Sequence, residues 1–523
     1  MKFGKTTELF PWSGRPSILE WIRSHPGDPL PDESDVQDEE SGLRWAPGAL
    51  DGVLGHHMEN VGDQVLTAMS IAKKWEMQLN QPNDRTRRET YIEIVRCDLL
   101  SIIDELIKAL SRLEYVDGER FYEEALWCAT KGAHRNVVKF GLAMIGMFGI
   151  EEQRDLMMEF GAHEEFTLFA VVSIRNSQKD ANDLLFELAK KVHGWGKIQV
   201  VERFEPQNVE MKQWLLSYGC KNQIMNEYLA YTCAVKGDLV GTLRAESIST
   251  ELYSGIGLIL EALINGGPSK GIDDYEFAAE AVARYLTHAS VLAQTLADFD
   301  IVRVIFQFLQ GEDESEWIRR FNGSCGWSHE IRQSGIQLSN IIMRQGKWVE
   351  MIQQPLDPSN RVLTYCQMKA GKALGIDMWP AGWAAIQNQP QNDGLYVQMT
   401  AFADEARLRH LISFAEQKLP LKKIATGAGV ELGFGEAYQP HHTLNVLLRE
   451  LTKMPGIGMK LLVAGAHSPV VSNRAMVQSV LESWPRDVWF EPLKPLLMSA
   501  LDAEPDADLR RQWESLLSVA TIE

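Results

Sequence analysis

The segment Ile92–Leu113, with the sequence IEIVRCDLLSIIDELIKALSRL, decides the fold class of this chain. Its apolar residues recur at steps of three and four, a spacing that places side chains on one face of an α-helix. The residues of this stripe are Ile92, Val95, Leu99, Ile102, Leu106, Leu110 and Leu113. The pattern predicts one amphipathic helix of about 25 residues.

Helical spacing continues along most of the chain from about residue 56, and glycines interrupt it at short intervals. Glycine readily takes the left-handed conformation that closes a helix. These glycines are Gly132, Gly149, Gly161, Gly194, Gly219, Gly237, Gly266 and Gly267. No run alternates with the period of a β-strand. We therefore expect an all-α fold, an α-solenoid (superhelix) of HEAT-like or armadillo-like helix pairs.

Composition along the chain predicts three regions. Residues 1–45 form an acidic, partly extended N-terminal arm, because a stretch so rich in proline and carboxylates buries too little apolar surface to fold alone. The aromatic residues Phe10, Trp12 and Trp21 precede that stretch, and we expect them to dock on the folded body. Residues 46–310 form an N-terminal helical-repeat region, and residues 311–523 form a C-terminal HEAT-like repeat region.

One tripeptide, Ser-Asn-Arg, occurs twice at the predicted start of a helix, at Ser359–Arg361 and at Ser472–Arg474. The two copies are separated by about three repeats of slightly under ~40 residues each. We expect the serine to cap each helix and the arginine to lie in its first turn.

Charge and hydropathy restrict the partners and the location of the protein. The chain has 52 Lys and Arg against 71 Asp and Glu, a net charge of −19. Such a surface repels phosphate backbones and anionic lipid, which argues against nucleic-acid and membrane partners. No apolar run approaches the ~20 residues that a membrane span needs. Because Lys2 and Lys5 are followed by the polar Thr6, Thr7 and Glu8 and not by an apolar signal region, we expect a cytoplasmic protein.

The six cysteines do not form a disulfide or metal pattern, since none of them is in a C-x-x-C motif. Most lie within apolar helical patterns, where a thiol acts as a small hydrophobic group. The cysteines are Cys97, Cys128, Cys220, Cys233, Cys325 and Cys366.

Signatures of cofactor sites fail on inspection. Gly266 and Gly271 have the separation of a P-loop, but Ile272 stands where that loop requires lysine. The glycines between residues 427 and 435 lack the dinucleotide-binding order and are typical of an irregular loop. Cys325, in a glycine-bearing loop, is the nearest approach to a haem-thiolate ligand. We expect no cofactor here, and the catalytic residues, if there are any, stay unknown.

Histidine spacing gives no metal motif either. The pairs His56-His57 and His441-His442 are adjacent, so on a helix their side chains diverge. His163 is followed by two glutamates but lacks the second histidine of a zinc protease. Three of these histidines could still meet a carboxylate in space. No metal is expected.

Several strings carry a resemblance. The residues from 468 to 511 look like a terminal pair of HEAT repeats, and those from 134 to 176 resemble another. The strings His193–Lys197, Tyr228–Tyr231, Ile424–Gly427 and Glu431–Gly433 resemble a family of uncharacterised bacterial helical-repeat proteins. Some members of that family are named limonene hydroxylase, a name that implies oxidation of a terpene. The resemblance covers about residues 45 to 520.

Tryptophan supplies the candidate binding surface. The chain has 15 tryptophans, and several lie near predicted helix ends: Trp195, Trp214, Trp327, Trp348, Trp379, Trp383, Trp484, Trp489 and Trp513. Tryptophan often wedges between stacked repeats, and alternatively it lines a groove that binds a protein partner. Two glycines beside Trp195 allow either a turn that presents it outward or a packed hairpin. The candidate binding residues are His193, Trp195, Lys197, Trp214, Asn222, Tyr228 and Tyr231.

These observations favour a non-catalytic helical-repeat protein that binds a protein or peptide partner on its concave face, as scaffold proteins do. Two alternatives stay open. One is an enzyme, such as the terpene (limonene) hydroxylase that the family name implies. The other is a regulatory or defence-associated scaffold. The sequence leaves the oligomeric state open.

Overall fold

The fold is described from a computed structural model of the chain, for residues 10–31, 48–49, 51–52, 64–113, 117–148, 151–357, 359–433 and 435–518. In these ranges the chain forms 29 α-helices and no β-strand. An isolated parallel bridge joins Glu431 and Val470. The predicted all-α class is confirmed.

The helices of the first part of the chain are short and follow one another closely. They are α1 (Ile18–Ser24), α2 (Gln64–Asn80), α3 (Asp84–Arg96), α4 (Leu99–Leu110), α5 (Gly118–Lys131), α6 (Arg135–Ile145), α7 (Arg154–Gly161), α8 (Thr167–Ser177), α9 (Ala181–Ala189), α10 (Gly194–Arg203), α11 (Val209–Trp214), α12 (Ala230–Lys236), α13 (Leu239–Leu243), α14 (Thr250–Asn265) and α15 (Ala278–Leu292).

The remaining helices continue the same pattern. They are α16 (Leu296–Gln310), α17 (Glu314–Asn322), α18 (His329–Met343), α19 (Lys347–Ile352), α20 (Arg361–Ala373), α21 (Trp379–Asn388), α22 (Asp393–Ala401), α23 (Glu405–Lys418), α24 (Leu421–Ile424), α25 (Gln439–Leu451), α26 (Met459–Ala466), α27 (Val471–Ser483), α28 (Arg486–Ala503) and α29 (Ala507–Ser518). Single turns of 3₁₀-helix lie at Glu151–Gln153, Asn226–Tyr228, Ile272–Asp274 and Glu436–Tyr438, and a π-turn lies at Leu215–Gly219.

The chain divides into two compact units. Unit 1 comprises Met1–Leu292 and Val304–Leu338, and unit 2 comprises Ala293–Arg303 and Ser339–Glu523. The division passes through α16 and α18. The division into three regions at residues 45 and 310 stays a prediction. In the described part of the chain, every helix falls short of the length and apolar character that spanning a bilayer requires.

The prediction of one long helix at residues 92–113 is wrong, because two helices, α3 and α4, cover this segment. Cys97 and Asp98 lie between these two helices, and both have an extended backbone conformation. The Asp98 carboxylate accepts the backbone N–H of Ser101 at 3.4 Å and so caps α4. The stripe is nevertheless buried on both sides of the break, at Val95, Leu99, Ile102, Leu106 and Leu110.

Of the aromatic residues before the acidic stretch, Trp12 packs on helices of unit 1, as predicted. The ring centroid of Trp12 lies 5.0 Å from that of Tyr91 and 5.3 Å from that of Trp127. Ile18 and Leu19 of α1 are buried. The acidic residues from Asp32 onward lie outside the described residues, so the nature of that stretch stays a prediction.

The two Ser-Asn-Arg copies differ from the predicted capping pattern. In α20 the cap is Asn360, which accepts the N–H of Leu363 at 3.0 Å. In α27 all three residues lie inside the helix, and the cap position is occupied by Val470. Serine is therefore not the cap in either copy, although the arginine lies in the first turn of both. In α27 the polar side chains are instead used for tertiary contacts.

The largest of these contacts is a buried ion pair in unit 2. Arg474 and Glu504 are each 1% exposed and form two hydrogen bonds of 2.7 Å. The guanidinium also donates to the carbonyl oxygens of Ser468 and Gly429, both at 2.7 Å. One side chain therefore ties α27 to two loops and to the turn before α29, and every contact is charge-assisted.

The cysteines occupy the core, as predicted for most of them. Cys97 is half-buried and the other five are buried. Burial raises the pKa of the Cys97 and Cys233 thiols to about 12, which makes them poor nucleophiles at neutral pH.

Replacing Glu504 by glutamine removes a charge that Arg474 needs while keeping the side-chain shape. Breaking a buried ion pair on one side costs about 3 kcal/mol or more, because the other charge stays buried and uncompensated. We expect Glu504→Gln to lower the unfolding free energy of unit 2 by that amount in urea titrations. Glu405→Gln, which affects the exposed pair with Arg409, is the matched control and should cost under about 1 kcal/mol. Equal losses in both variants would contradict this role.

Candidate functional site

The segment from His193 to Lys197 begins α10, where it packs closely on the start of α8. Gly194 has φ of +50°, and a Cβ atom there would lie 2.5 Å from the Glu164 carboxylate. The left-handed backbone conformation therefore favours glycine, and a larger residue would also require the Glu164 side chain to move. His193 is exposed. The unusual composition of this segment is explained by packing.

Trp195 is packed and not presented to solvent. Its side chain is 6% exposed, and its ring centroid lies 5.1 Å from that of Tyr228. Its backbone N–H donates to the Glu164 carboxylate, which opposes the upward pKa shift that burial causes in this group. Trp195 therefore lies in the first turn of α10 and is packed, and no turn presents it outward.

Lys197 is a buried amine, 7% exposed. Its Nζ donates to the carbonyl oxygen of Tyr218 at 2.8 Å and lies 5.3 Å from the ring centroid of Trp214. Among the described residues no carboxylate forms an ion pair with it. Burial lowers the pKa of Lys197, and the nearby thiols of Cys233 and Cys220 oppose this shift only in part.

The π-turn at Leu215–Gly219 makes the contact with Lys197 possible. A π-turn interrupts the regular i→i+4 hydrogen-bond ladder of a helix. The carbonyl of Tyr218 takes the lysine ammonium, and the Trp214 ring just before the turn covers the same ammonium. Such turns occur often at functional sites.

The sequence-predicted binding residues are thus brought together as two contact pairs, Trp195 with Tyr228 and Lys197 with Trp214. Asn222 is half-buried, and its side chain accepts the N–H groups of residues 224 and 225 and shapes that loop. Tyr231 is half-buried beneath Lys270, whose Nζ lies 5.0 Å from its ring centroid. A shared binding role for the seven residues stays a prediction.

Unit 2 presents a second aromatic surface, which sequence spacing did not single out. Trp379 and Trp383 lie one turn apart on α21, both half-buried, with ring centroids 6.0 Å apart and planes at 10°. Against Trp383 pack His410 at 4.3 Å and Phe414 at 5.1 Å, both on α23. We call Trp379, Trp383, His410 and Phe414 the aromatic ridge.

An arginine fixes one end of the aromatic ridge. The guanidinium of Arg407 lies 5.3 Å from the ring centroid of Trp379 and binds both carboxylate oxygens of Asp377, at 2.6 and 3.1 Å. Hydrogen bonding to Arg407 lowers the pKa of Asp377. A bidentate ion pair thus orients the Arg407 guanidinium beside Trp379.

Solvent exposure separates the tryptophans into two groups. Six of the nine noted near helix ends are buried: Trp195, Trp327, Trp348, Trp484, Trp489 and Trp513. Trp214, Trp379 and Trp383 are half-buried. Small residues lie between and after Trp379 and Trp383, at Ala381, Gly382 and Ala384. They are the sequence signal that could have indicated a shallow surface.

A small apolar groove also lies in unit 2, between α20 and α22, with a volume of about 300 Å³. Val362 is 71% and Tyr365 41% exposed at its edge. Arg361 and Asp393 pair across its mouth at 2.8 Å. Its lining residues are Arg361, Val362, Thr364, Tyr365, Asn392, Gly394, Leu395 and Gln398.

A serine and a histidine meet in unit 2 without forming a catalytic pair. Nδ1 of His441 lies 3.1 Å from Oγ of Ser468, which is fully buried. That hydroxyl also accepts the N–H of Val470 and the side-chain amide of Asn473, both at 3.2 Å. Burial lowers the pKa of His441. The hydroxyl is thus saturated with structural hydrogen bonds.

No cluster of three metal-ligating side chains occurs among the residues that the structure describes. His56 and His57 lie outside those residues. His163 is half-buried, and burial lowers its pKa.

No protein-family model matches this chain. No curated protein sequence and no solved structure matches it either. The resemblance to bacterial helical-repeat proteins therefore stays an expectation, of which the all-helical architecture is the part that the structure supports.

The depressed pKa of Lys197 predicts a pH dependence of stability. The pKa of Lys197 is lower in the folded state than in the unfolded state, where the pKa of lysine is ~10.4. The folded state therefore releases the Lys197 proton at a lower pH. The folded chain therefore gains stability relative to a non-titrating variant as pH rises toward that value. We expect the unfolding free energy of wild type minus that of Lys197→Met to increase between pH 7 and pH ~10 in urea titrations. Lys197→Arg stays charged over this range, so the difference between wild type and this variant should rise with the same slope. A difference that decreases with pH would contradict a lowered pKa of Lys197.

Proposed function

We propose that this chain is a non-catalytic helical-repeat protein that binds a protein or peptide partner through the aromatic ridge of unit 2. The half-buried, stacked pair Trp379 and Trp383, with Arg407 beside Trp379, is the observation that carries this proposal. Tryptophan and arginine dominate the binding energy of protein interfaces, and a rigid aromatic surface binds at a low entropic cost.

The order of helix packing supports a repeat architecture of HEAT-like or armadillo-like helix pairs. In unit 1, α5 packs on α6, α6 on α8 and α8 on α10. In unit 2, α21 packs on α22 and α25 on α27. In these pairs a helix contacts one that follows soon after it, as we expect of an α-solenoid. Solenoids bind partners along extended concave faces, and we place the partner on such a face.

Charge favours a basic segment as the partner. The chain carries a net charge of −19, which attracts cationic partners. Beside the aromatic ridge, Arg407 is paired with Asp377 and Arg409 with Glu405, each at 2.6 Å. The two arginines are thus neutralised, and the aromatic ridge repels a cationic partner only weakly. Tryptophan faces bind arginine and lysine by cation–π attraction, so the partner places such a side chain on Trp379 or Trp383. We propose a cytoplasmic location for this interaction.

The test places a photo-crosslinking amino acid at Ala384, exposed on α21, and as a control at Ser479, exposed on α27. Both full-length proteins are irradiated in a host lysate, and the crosslinked protein is identified, purified and titrated against the chain. We expect a partner that crosslinks from position 384 alone. Trp383→Ala should weaken its binding by ~30-fold, the loss typical of a hot-spot residue of about 2 kcal/mol.

Trp214→Ala is the matched control, since Trp214 is also half-buried but belongs to unit 1. It should leave the affinity unchanged. If binding depends on Trp214 and not on Trp383, or if the crosslink forms equally from position 479, the assignment to the aromatic ridge is overturned.

A further inference from the structure

A single helical turn near the start of unit 1 packs on other helices as a bound peptide would. The N–H of Gly52 donates to the carbonyl of Gly48 at 2.9 Å and closes the turn. Ala49 and Asp51 of this turn are buried. We call residues 48–52, with the sequence Gly-Ala-Leu-Asp-Gly, the 48–52 turn.

A buried lysine fixes the acidic end of the 48–52 turn. Nζ of Lys139, on α6, lies 2.6 Å from the Asp51 carboxylate and 2.8 Å from that of Glu165. Although burial alone would lower the pKa of Lys139, the two carboxylates raise it, so the amine is charged. The second oxygen of Glu165 accepts the N–H of Gly48 at 3.0 Å. Charged groups thus hold both ends of the turn.

Shape restricts which residues fit at the ends of the 48–52 turn. Gly48 has φ of +69°, and a Cβ atom there would lie 2.5 Å from the carbonyl oxygen of Glu164. A Cβ atom on Gly52 would lie 2.2 Å from the ring of Trp195. Any larger residue at either position would clash. The surface therefore accepts a five-residue turn that has glycine at its first and last positions and aspartate at its fourth position.

The receiving surface keeps its internal pairing without the turn. Lys139 would remain bound to Glu165, so departure of Asp51 leaves no isolated buried charge. Arg135, one helical turn before Lys139 on α6, holds the carbonyl of Pro31 at 3.1 Å. The chain thus contacts α6 at residue 31 and again at residue 51.

We propose that Lys139, Glu165 and Trp195 form a recognition site for a Gly-x-x-Asp-Gly turn of a partner protein, which the chain's own 48–52 turn occupies until it is displaced. The cis segment acts as an intramolecular competitor for the partner's turn. This gives Trp195 a role in binding, with its own chain as the first ligand. The site belongs to unit 1 and does not depend on the aromatic ridge.

The experiment measures binding of a fluorescent Gly-Ala-Leu-Asp-Gly peptide to the full chain by fluorescence anisotropy. Asp51→Ala removes the carboxylate of the cis segment and leaves Lys139 with Glu165. We expect this variant to bind the peptide at least about tenfold more tightly than wild type does. Peptides with asparagine for aspartate, or alanine for both glycines, should bind at least about tenfold more weakly.

A second variant keeps the test decisive if Asp51→Ala does not fold. Gly52→Ala adds a Cβ atom against Trp195 and loosens the turn while keeping the three charged groups. It should also gain peptide binding, and adding Lys139→Met should abolish that gain while circular dichroism shows a folded chain. Absence of peptide binding by both folded variants, or equal binding of the asparagine peptide, overturns the proposal.

Discussion

The burial of an apolar face of each helix against helices close to it in the chain is the constraint on which the structure depends. Trp75 of α2 is fully buried, with its ring centroid 4.8 Å from Phe140 and 5.5 Å from Phe121. Each such side chain contributes about 1.5–3 kcal/mol on removal from water. Eight tryptophans are buried in this way, whereas Trp379 and Trp383 are half-buried and stack on each other on one helix.

Buried charges are placed where loops and helix ends must be joined to this framework. Arg474 with Glu504, and Lys139 with Asp51 and Glu165, are both satisfied by carboxylates. The desolvation of Arg474 is offset only by pairing with Glu504, while Lys139 has two carboxylate partners and keeps one if the other leaves. Lys197 departs from this rule, since a carbonyl group and an aromatic ring replace the carboxylate.

The helical period of the sequence was sufficient to predict the all-α class, and Phe10, Trp12 and Trp21 indicated docking of the N-terminal residues. The break at Asp98 was missed because the apolar stripe continues through it, while a single capping side chain decides the helix end. Sequence spacing does not report exposure, so Trp379 and Trp383 could not be told from buried tryptophans. Lys139 and Asp51 are 88 residues apart, and neither has a distinctive neighbourhood in the sequence.

The burial pattern of the tryptophans tests the packing account most directly. Limited oxidation of the folded chain with N-bromosuccinimide, mapped by peptide mass spectrometry, reports the exposure of each indole. The account predicts that Trp379 and Trp383 are oxidised well before Trp75, Trp348 and Trp489, which are at most 1% exposed. Oxidation of these three at the same rate as Trp383 in the folded chain would contradict it.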